Sequence, residues 1–264
     1  MKKQILTYAV IFLLSACGGS SKKEDTSNPT PPPTGVAPKP TNNLPIPDNR
    51  NDVTYQILVI GNSHVSGIKS LLTKVFANSG KSVSIETRTG QFLDTIVNDQ
   101  SIIDLIKNKK WTHVILQGQK YSQSQTTVYP TGATVTWIQR AKAVGATPIL
   151  LPEHPPLNRP VEAEYVQRIH QGIAGIQSSC VAPVGLTWNK VISISPGLVL
   201  HQADGNHAKE LGTLLTSIAL YEAISGKAAD LLPFNSNLPA DSATQALFGQ
   251  ITSETSAKHI PCKF

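Results

Sequence analysis

The 264-residue sequence has no apolar run long enough to cross a bilayer. Its most apolar stretch covers positions 5–14, about half of the roughly twenty residues that a spanning helix needs. A stripe of lysine and arginine interleaved with aromatics is also missing. The formal charge of +6 comes in part from Lys2, Lys3, Lys22 and Lys23, near one end, so nucleic-acid binding is not indicated. No His-x3-His spacing occurs, and the three cysteines do not cluster. The grouping of His64, His154 and His201 with Asp204 has no ligand spacing to support it, and neither a metal nor a cofactor is expected. No internal repeat marks a solenoid or an array.

What is present begins with Lys2 and Lys3, then an apolar stretch from Ile5 to Leu14, then Leu14-Ser15-Ala16-Cys17. A positive start, a short apolar middle and a small-residue step have the form of a secretion signal over residues 1–17. Leu-Ser-Ala-Cys resembles the bacterial lipobox. The resemblance implies that Cys17 is lipidated and that its acyl chains hold the protein to a membrane, since two or three chains anchor stably where one does not. Gly18 stands where an aspartate would favour the inner membrane in enteric bacteria, so the expectation leans towards the outer membrane of the cell envelope. Residues 18–52 are rich in Pro, Ser, Thr and Asn and have too little apolar surface to offset the entropy of ordering. They read as a disordered tether.

Residues 53–264 have the length and apolar content of one domain with a full core. Gln56 to Ile60, Val83 to Thr87, His113 to Gln117, Thr147 to Leu151 and Val181 to Leu186 are short apolar runs that read as strands. Between them lie helical periodicities from Val65 to Phe76, Phe92 to Ile106, Val135 to Val144 and Val161 to Ile176, and a last one from Leu211 to Ile224. Apolar strands alternating with amphipathic helices predict a three-layer α/β/α fold with a mainly parallel five-stranded sheet. In such sheets chemistry sits in the loops beyond the strands' carboxyl ends. Cys180 and Cys262 could pair in an oxidising compartment, although their spacing alone does not decide it.

Two of those loops carry chemistry. Gly61-Asn62-Ser63-His64 follows the first strand with a helix expected to start at once behind it, which puts Ser63 at a helix N-terminus, where free N–H groups favour developing negative charge. The same residues also make ordinary cap and turn chemistry. Asp204-Gly205-Asn206-His207 precedes the last helix. An aspartate three residues before a histidine can take the imidazole Nδ1–H and leave Nε2 to remove a proton from a serine hydroxyl.

The two blocks together, in this order, resemble the SGNH/GDSL hydrolase superfamily. Thr89-Gly90-Gln91 resembles its glycine block, and Leu116-Gln117-Gly118-Gln119 stands at its third block. Asn62 occupies a position where many members have aspartate. The resemblance implies a flavodoxin-like fold, Ser63 as nucleophile, His207 as base and then acid, and Asp204 as the group that orients it. It also implies an oxyanion hole from the N–H groups of Ser63 and Gly90, plus a third donor. Many members supply that donor from an asparagine, but the matching residue here is Lys120. The reading therefore turns to Gln117, with Gln119 as alternative. His154 and Tyr121 are read as substrate-loop residues, and Trp188 as core or rim.

The expected activity is serine ester hydrolysis, with an acetylated glycan as the preferred substrate. A lysophospholipase or thioesterase would use the same residues. An envelope lipoprotein that binds glycans without turnover is the rival, and the sequence does not set the oligomeric state.

Overall fold

Tyr55, Ile57 and Val59 point to one face of the first strand, and Leu58 and Ile60 to the other, with all five fully buried. A strand apolar on both sides must be covered on both sides. The computed structural model, which describes residues 43–264, meets that demand. Strands β1 (Thr54–Ile60), β2 (Ser82–Arg88), β3 (His113–Leu116), β4 (Thr147–Leu150) and β5 (Cys180–Val181) form a wholly parallel sheet in the order β2-β1-β3-β4-β5.

Helices α1 (Ile68–Asn78), α5 (Val184–Ile194), α6 (Glu210–Ser225) and α7 (Ser242–Lys258) cover the Tyr55 face. Helices α2 (Gln100–Asn108), α3 (Gly132–Ala143) and α4 (Val161–Ile176) contribute Ile106, Trp137 and Ile173 to the Leu58 face. The fold is three-layer α/β, as expected. Helix α6 is buried on nearly all sides, and its polar Ser217 and Ser225 donate to the carbonyls of Thr213 and Tyr221 at 2.8 and 2.7 Å. Internal bonds of this kind make burial of a hydroxyl tolerable. Gly212 is required where α6 meets α5, because a Cβ there would lie 2.3 Å from the Trp188 ring.

Several element boundaries differ from the sequence reading, three of them for a clear local reason. Helix α1 starts at Ile68 because Gly67 adopts φ +79°, which interrupts the helical path after a short 3-10 turn at Ser63–Val65. Residues 92–98 form turns, and α2 begins only where Asp99 accepts from Ser101 N–H at 2.9 Å. The fifth strand stops after Val181, since Pro183 has no N–H for a sheet ladder and stands at the N-cap of α5. Trp188 consequently sits on a helix, fully buried.

Expectations for the signal segment, Cys17 and residues 18–42 fall outside the described residues. Residues 43–52, assigned to the tether from composition, instead lie along the amino end of the sheet. Asn49 Nδ2 donates to Thr112 O at 2.8 Å and to Gly145 O at 2.9 Å, Lys142 Nζ donates to Leu44 O, and Ser178 N–H donates to Asn43 Oδ1 at 2.9 Å. Polar bonds hold this segment, with Ile46 its one buried apolar residue, and a composition-based boundary does not register them. A disulfide joins Cys180 to Cys262 and fastens the last residues to β5. No described helix is long and apolar enough to cross a membrane.

Candidate active site

The strand order makes β1 and β3 neighbours, although the chain visits β2 between them. Their carboxyl ends therefore flank the crevice where a doubly wound sheet reverses direction. Gly61 leaves β1 at that point. A Cβ on it would meet Gln117 Oε1 at 2.5 Å and Val65 Cγ1 at 2.9 Å. Gly61 N–H donates to Arg88 O at 3.0 Å, Asn62 N–H donates to Gln117 Oε1 at 2.9 Å, and Asn62 Oδ1 accepts from His64 N–H at 2.9 Å. This fixed turn presents Ser63 to solvent. Ser63 opens a single 3-10 turn, so the expected position at an α-helix terminus is not found.

His207 reaches Ser63 from the loop before α6, with Nε2 and Oγ 2.9 Å apart across 144 residues of sequence. Two backbone bonds pinch that loop, Gln202 N–H to His207 O at 2.8 Å and Lys209 N–H to Leu200 O at 2.7 Å, and Gly205 turns it at φ +67°. Asp204 acts with both oxygens. Its Oδ1 accepts from the N–H groups of Asn206 and His207 at 2.9 and 3.0 Å, and its Oδ2 lies 2.5 Å from His207 Nδ1. The bond to the His207 ring, then the two backbone donors, hold the Asp204 carboxyl well below the usual carboxylate range. With Nδ1–H donating to Asp204, Nε2 carries the free lone pair and accepts from Ser63 O–H.

Behind His207 lies a column of rings. His64 stacks on His207 with centroids 5.2 Å apart, His154 meets the edge of His64 at 5.2 Å, and His154 lies flat on Trp188 at 4.0 Å. His154 is 4% exposed, and its Nε2–H donates to Asn206 O at 2.9 Å. Burial, followed by the nearby charge of His64, pushes its pKa down to about 3. The expected substrate contact at His154 is thus replaced by a bond that steadies the Asp204–His207 loop.

Tyr121 also turns inward. Its hydroxyl donates to Glu162 Oε2 at 3.1 Å, and burial, then the charges of Glu153 and Glu162, raise its pKa. Tyr121 is absent from the walls of the cleft beside Ser63. Both residues occur at the expected loops, but the His154 ring is buried and the half-buried Tyr121 turns its hydroxyl to Glu162.

The N–H groups of Ser63 and Gly90 donate to no acceptor among the described residues, and both residues are exposed. Neither glutamine read as third oxyanion donor is free. Gln117 is 1% exposed, with Oε1 on Asn62 N–H and Nε2 donating to Glu153 Oε2 at 2.7 Å. Gln119 Nε2 donates to Lys120 O at 2.9 Å and Pro130 O at 3.2 Å, while its Oε1 accepts from Thr134 at 2.6 Å. Lys120 itself is paired with Asp94 at 2.7 Å. Glu153 is the residue that the sequence reading missed. Nothing local marks its contact with Gln117, which spans 36 positions.

An open cleft of about 500 Å³ adjoins Ser63 and His207, with Ser66, Ser70, Gln202, Glu210 and Thr213 among its walls. Its walls mix hydroxyl and other polar groups with apolar surface, to which Leu71 and Ala208 contribute.

No family model matches the sequence, and none of the curated proteins compared with it is similar. Solved structures do match in fold. A DUF4886 family protein from Bacteroides uniformis superposes with a TM-score of 0.66 at 11% identity, covering 80% of this chain and 97% of the other. A putative SGNH hydrolase from Slackia heliotrinireducens gives 0.53 at 18% identity, covering 64% and 98%. The chain shares its fold with these two proteins.

Proposed function

We propose that the chain is a serine esterase that removes O-acetyl groups from a glycan by way of an acyl-enzyme. The observation that carries this reading is the unbroken line from Asp204 through His207 to Ser63, at 2.5 and 2.9 Å. Ser63 Oγ attacks the ester carbonyl carbon and its proton passes to His207 Nε2, while Asp204 stabilises the imidazolium. The carbonyl oxygen, now negative, is received by the N–H groups of Ser63 and Gly90. Collapse of the intermediate breaks the ester C–O bond, and His207 returns its proton to the departing alcohol. Water then loses a proton to His207 and attacks the acyl-enzyme. The acid leaves and Ser63 regains its hydrogen. No step needs a metal.

The glycan preference rests on the cleft, where the exposed Ser66 and Ser70 offer hydroxyls and Gln202 an amide oxygen suited to a sugar alcohol, while Gln202 Nε2 and the Thr213 hydroxyl donate to Ala208 O and Lys209 O. The fold shared with a putative SGNH hydrolase supports ester chemistry in general. A lipid-anchored place in the bacterial envelope, proposed from residues 1–17, would set such an enzyme among surface polymers. One observation favours a second reading, glycan binding with weak or no turnover. Both amides considered as third oxyanion donor are engaged elsewhere, so the hole rests on two backbone N–H groups.

Hydrolysis of p-nitrophenyl acetate by wild type, Ser63→Ala and His207→Ala decides between them. Wild-type turnover that both substitutions abolish, with folding intact, supports the esterase. A wild type inert both to this ester and to a fluorophosphonate probe leaves the binding role.

A further inference from the structure

The reaction steps above use none of the rings stacked behind His207. Of these, His64 is the one that touches it. The two imidazoles are nearly parallel, with an interplanar angle of 22° and centroids 5.2 Å apart. Three segments of chain fix the His64 ring in that place. Its backbone N–H donates to Asn62 Oδ1 at 2.9 Å within the 3-10 turn that also presents Ser63. His154, from the loop after β4, meets it at the edge and lies flat on Trp188. Asn206, the neighbour of His207, brings Nδ2 to 3.4 Å from His64 Nε2.

The nitrogens of this ring do little. Nδ1 is buried and makes no hydrogen bond, an uncommon state for a polar atom without access to solvent. Asn206 Nδ2 can only donate, so Nε2 accepts, and the contact favours the neutral ring with its hydrogen on Nδ1. What such a ring offers His207 is its face. The π face of an aromatic ring attracts a cation within about 6 Å of its centroid. His207 becomes that cation when it takes the proton of Ser63, and again when it takes the proton of water.

We propose that His64 is a positioning residue whose ring face steadies the His207 imidazolium in both halves of the reaction. The inference rests on the esterase reading and adds a group to it. One tight turn then supplies the nucleophile and, in the next residue, the support for its base. A support felt only by the imidazolium is absent from the resting enzyme, so its loss falls on kcat and leaves KM in place.

Kinetics of p-nitrophenyl acetate hydrolysis by the full chain test this in wild type, His64→Leu and His64→Phe. Leucine fills the space without a π face, whereas phenylalanine restores the face without the nitrogens. His64→Leu should lose about three- to thirtyfold in kcat at unchanged KM, the range of one cation–π contact. His64→Phe should recover most of that loss. Near-ultraviolet circular dichroism checks that each variant is folded, and His64→Met, a more adaptable side chain, takes the place of leucine if leucine disturbs the turn.

Unchanged kcat in a folded variant without the ring overturns the inference and leaves the esterase reading standing. So does a loss confined to KM, which would make His64 a substrate contact. An equal loss in His64→Phe also overturns it, because the effect would then belong to the nitrogens. A wild type inert both to the ester and to a fluorophosphonate probe overturns the inference and the reading together.

Discussion

Gln117 and Glu153 meet at 2.7 Å, nitrogen to carboxylate, and this contact determines which way round the Gln117 amide lies. Since Nε2 faces Glu153, Oε1 must face Asn62 N–H, one residue before the serine. Substituting Glu153→Leu should remove that constraint and leave a buried amide nitrogen unpaired, a loss of about 1–3 kcal/mol in stability. Urea denaturation measures it. A change well under 0.5 kcal/mol, close to the scatter of ordinary surface substitutions, would mean that solvent replaces Glu153 freely.

Asp204→Asn separates the two tasks of the carboxylate. The amide oxygen can still accept from Asn206 and His207 N–H, so the loop should keep its shape. The ring, however, loses its charged partner and is free to adopt the wrong tautomer. Turnover of p-nitrophenyl acetate should fall by about 10²- to 10⁴-fold with the melting temperature nearly unchanged, in line with comparable triads. Undiminished turnover would remove Asp204 from the mechanism.

Three histidines are buried neutral. Burial pushes His113 and His154 to about 3 and His170 to about 4, against roughly 6.5 in an unfolded chain. Their folded values are depressed, so below about pH 6.5 the unfolded state binds protons that the folded state refuses. Stability is therefore full above that pH and falls as acid is added towards pH 3–4. The slope approaches about 1.4 kcal/mol per pH unit for each histidine. Thermal melts at pH 7 and pH 5 should differ markedly, and equal melting temperatures would mean that these rings titrate normally.

The disulfide closes a loop of 82 residues. Chain-entropy arguments give such a link about 4 kcal/mol of stabilisation. Replacing both cysteines by serine should lower the melting temperature without altering hydrolysis at Ser63, because the link lies at the far end of the sheet. Loss of the ester activity in a still-folded variant would contradict that separation.

Much of this architecture could be read along the chain. Strands β1, β3 and β4 each carry a short apolar run, Ile57 to Ile60, Val114 to Leu116 and Pro148 to Leu150, and burial on both faces demands that composition. Ser63, Asp204 and His207 stand in two compact turns whose local spacing points to their chemistry, and the fold then brings those turns together. What could not be read depends on direction or on distant pairing. His154 and Tyr121 lie in the right loops, but nothing in a sequence says that one ring rests on Trp188 and the other reaches Glu162. Gln117 was read as the third donor in place of the family's asparagine, while its orientation belongs to Glu153. A single glycine, Gly67, moved the start of α1, and Pro183 cut short β5.

The strip of residues 43–49 lies along the amino end of a sheet whose strands all run the same way. A bead or sensor chip coupled ahead of residue 43 would therefore grip the molecule from behind. The mouth at Ser63 would face the flowing solution, so an immobilised preparation should turn over bulky substrates as readily as the free one, whereas coupling through lysines at random should not.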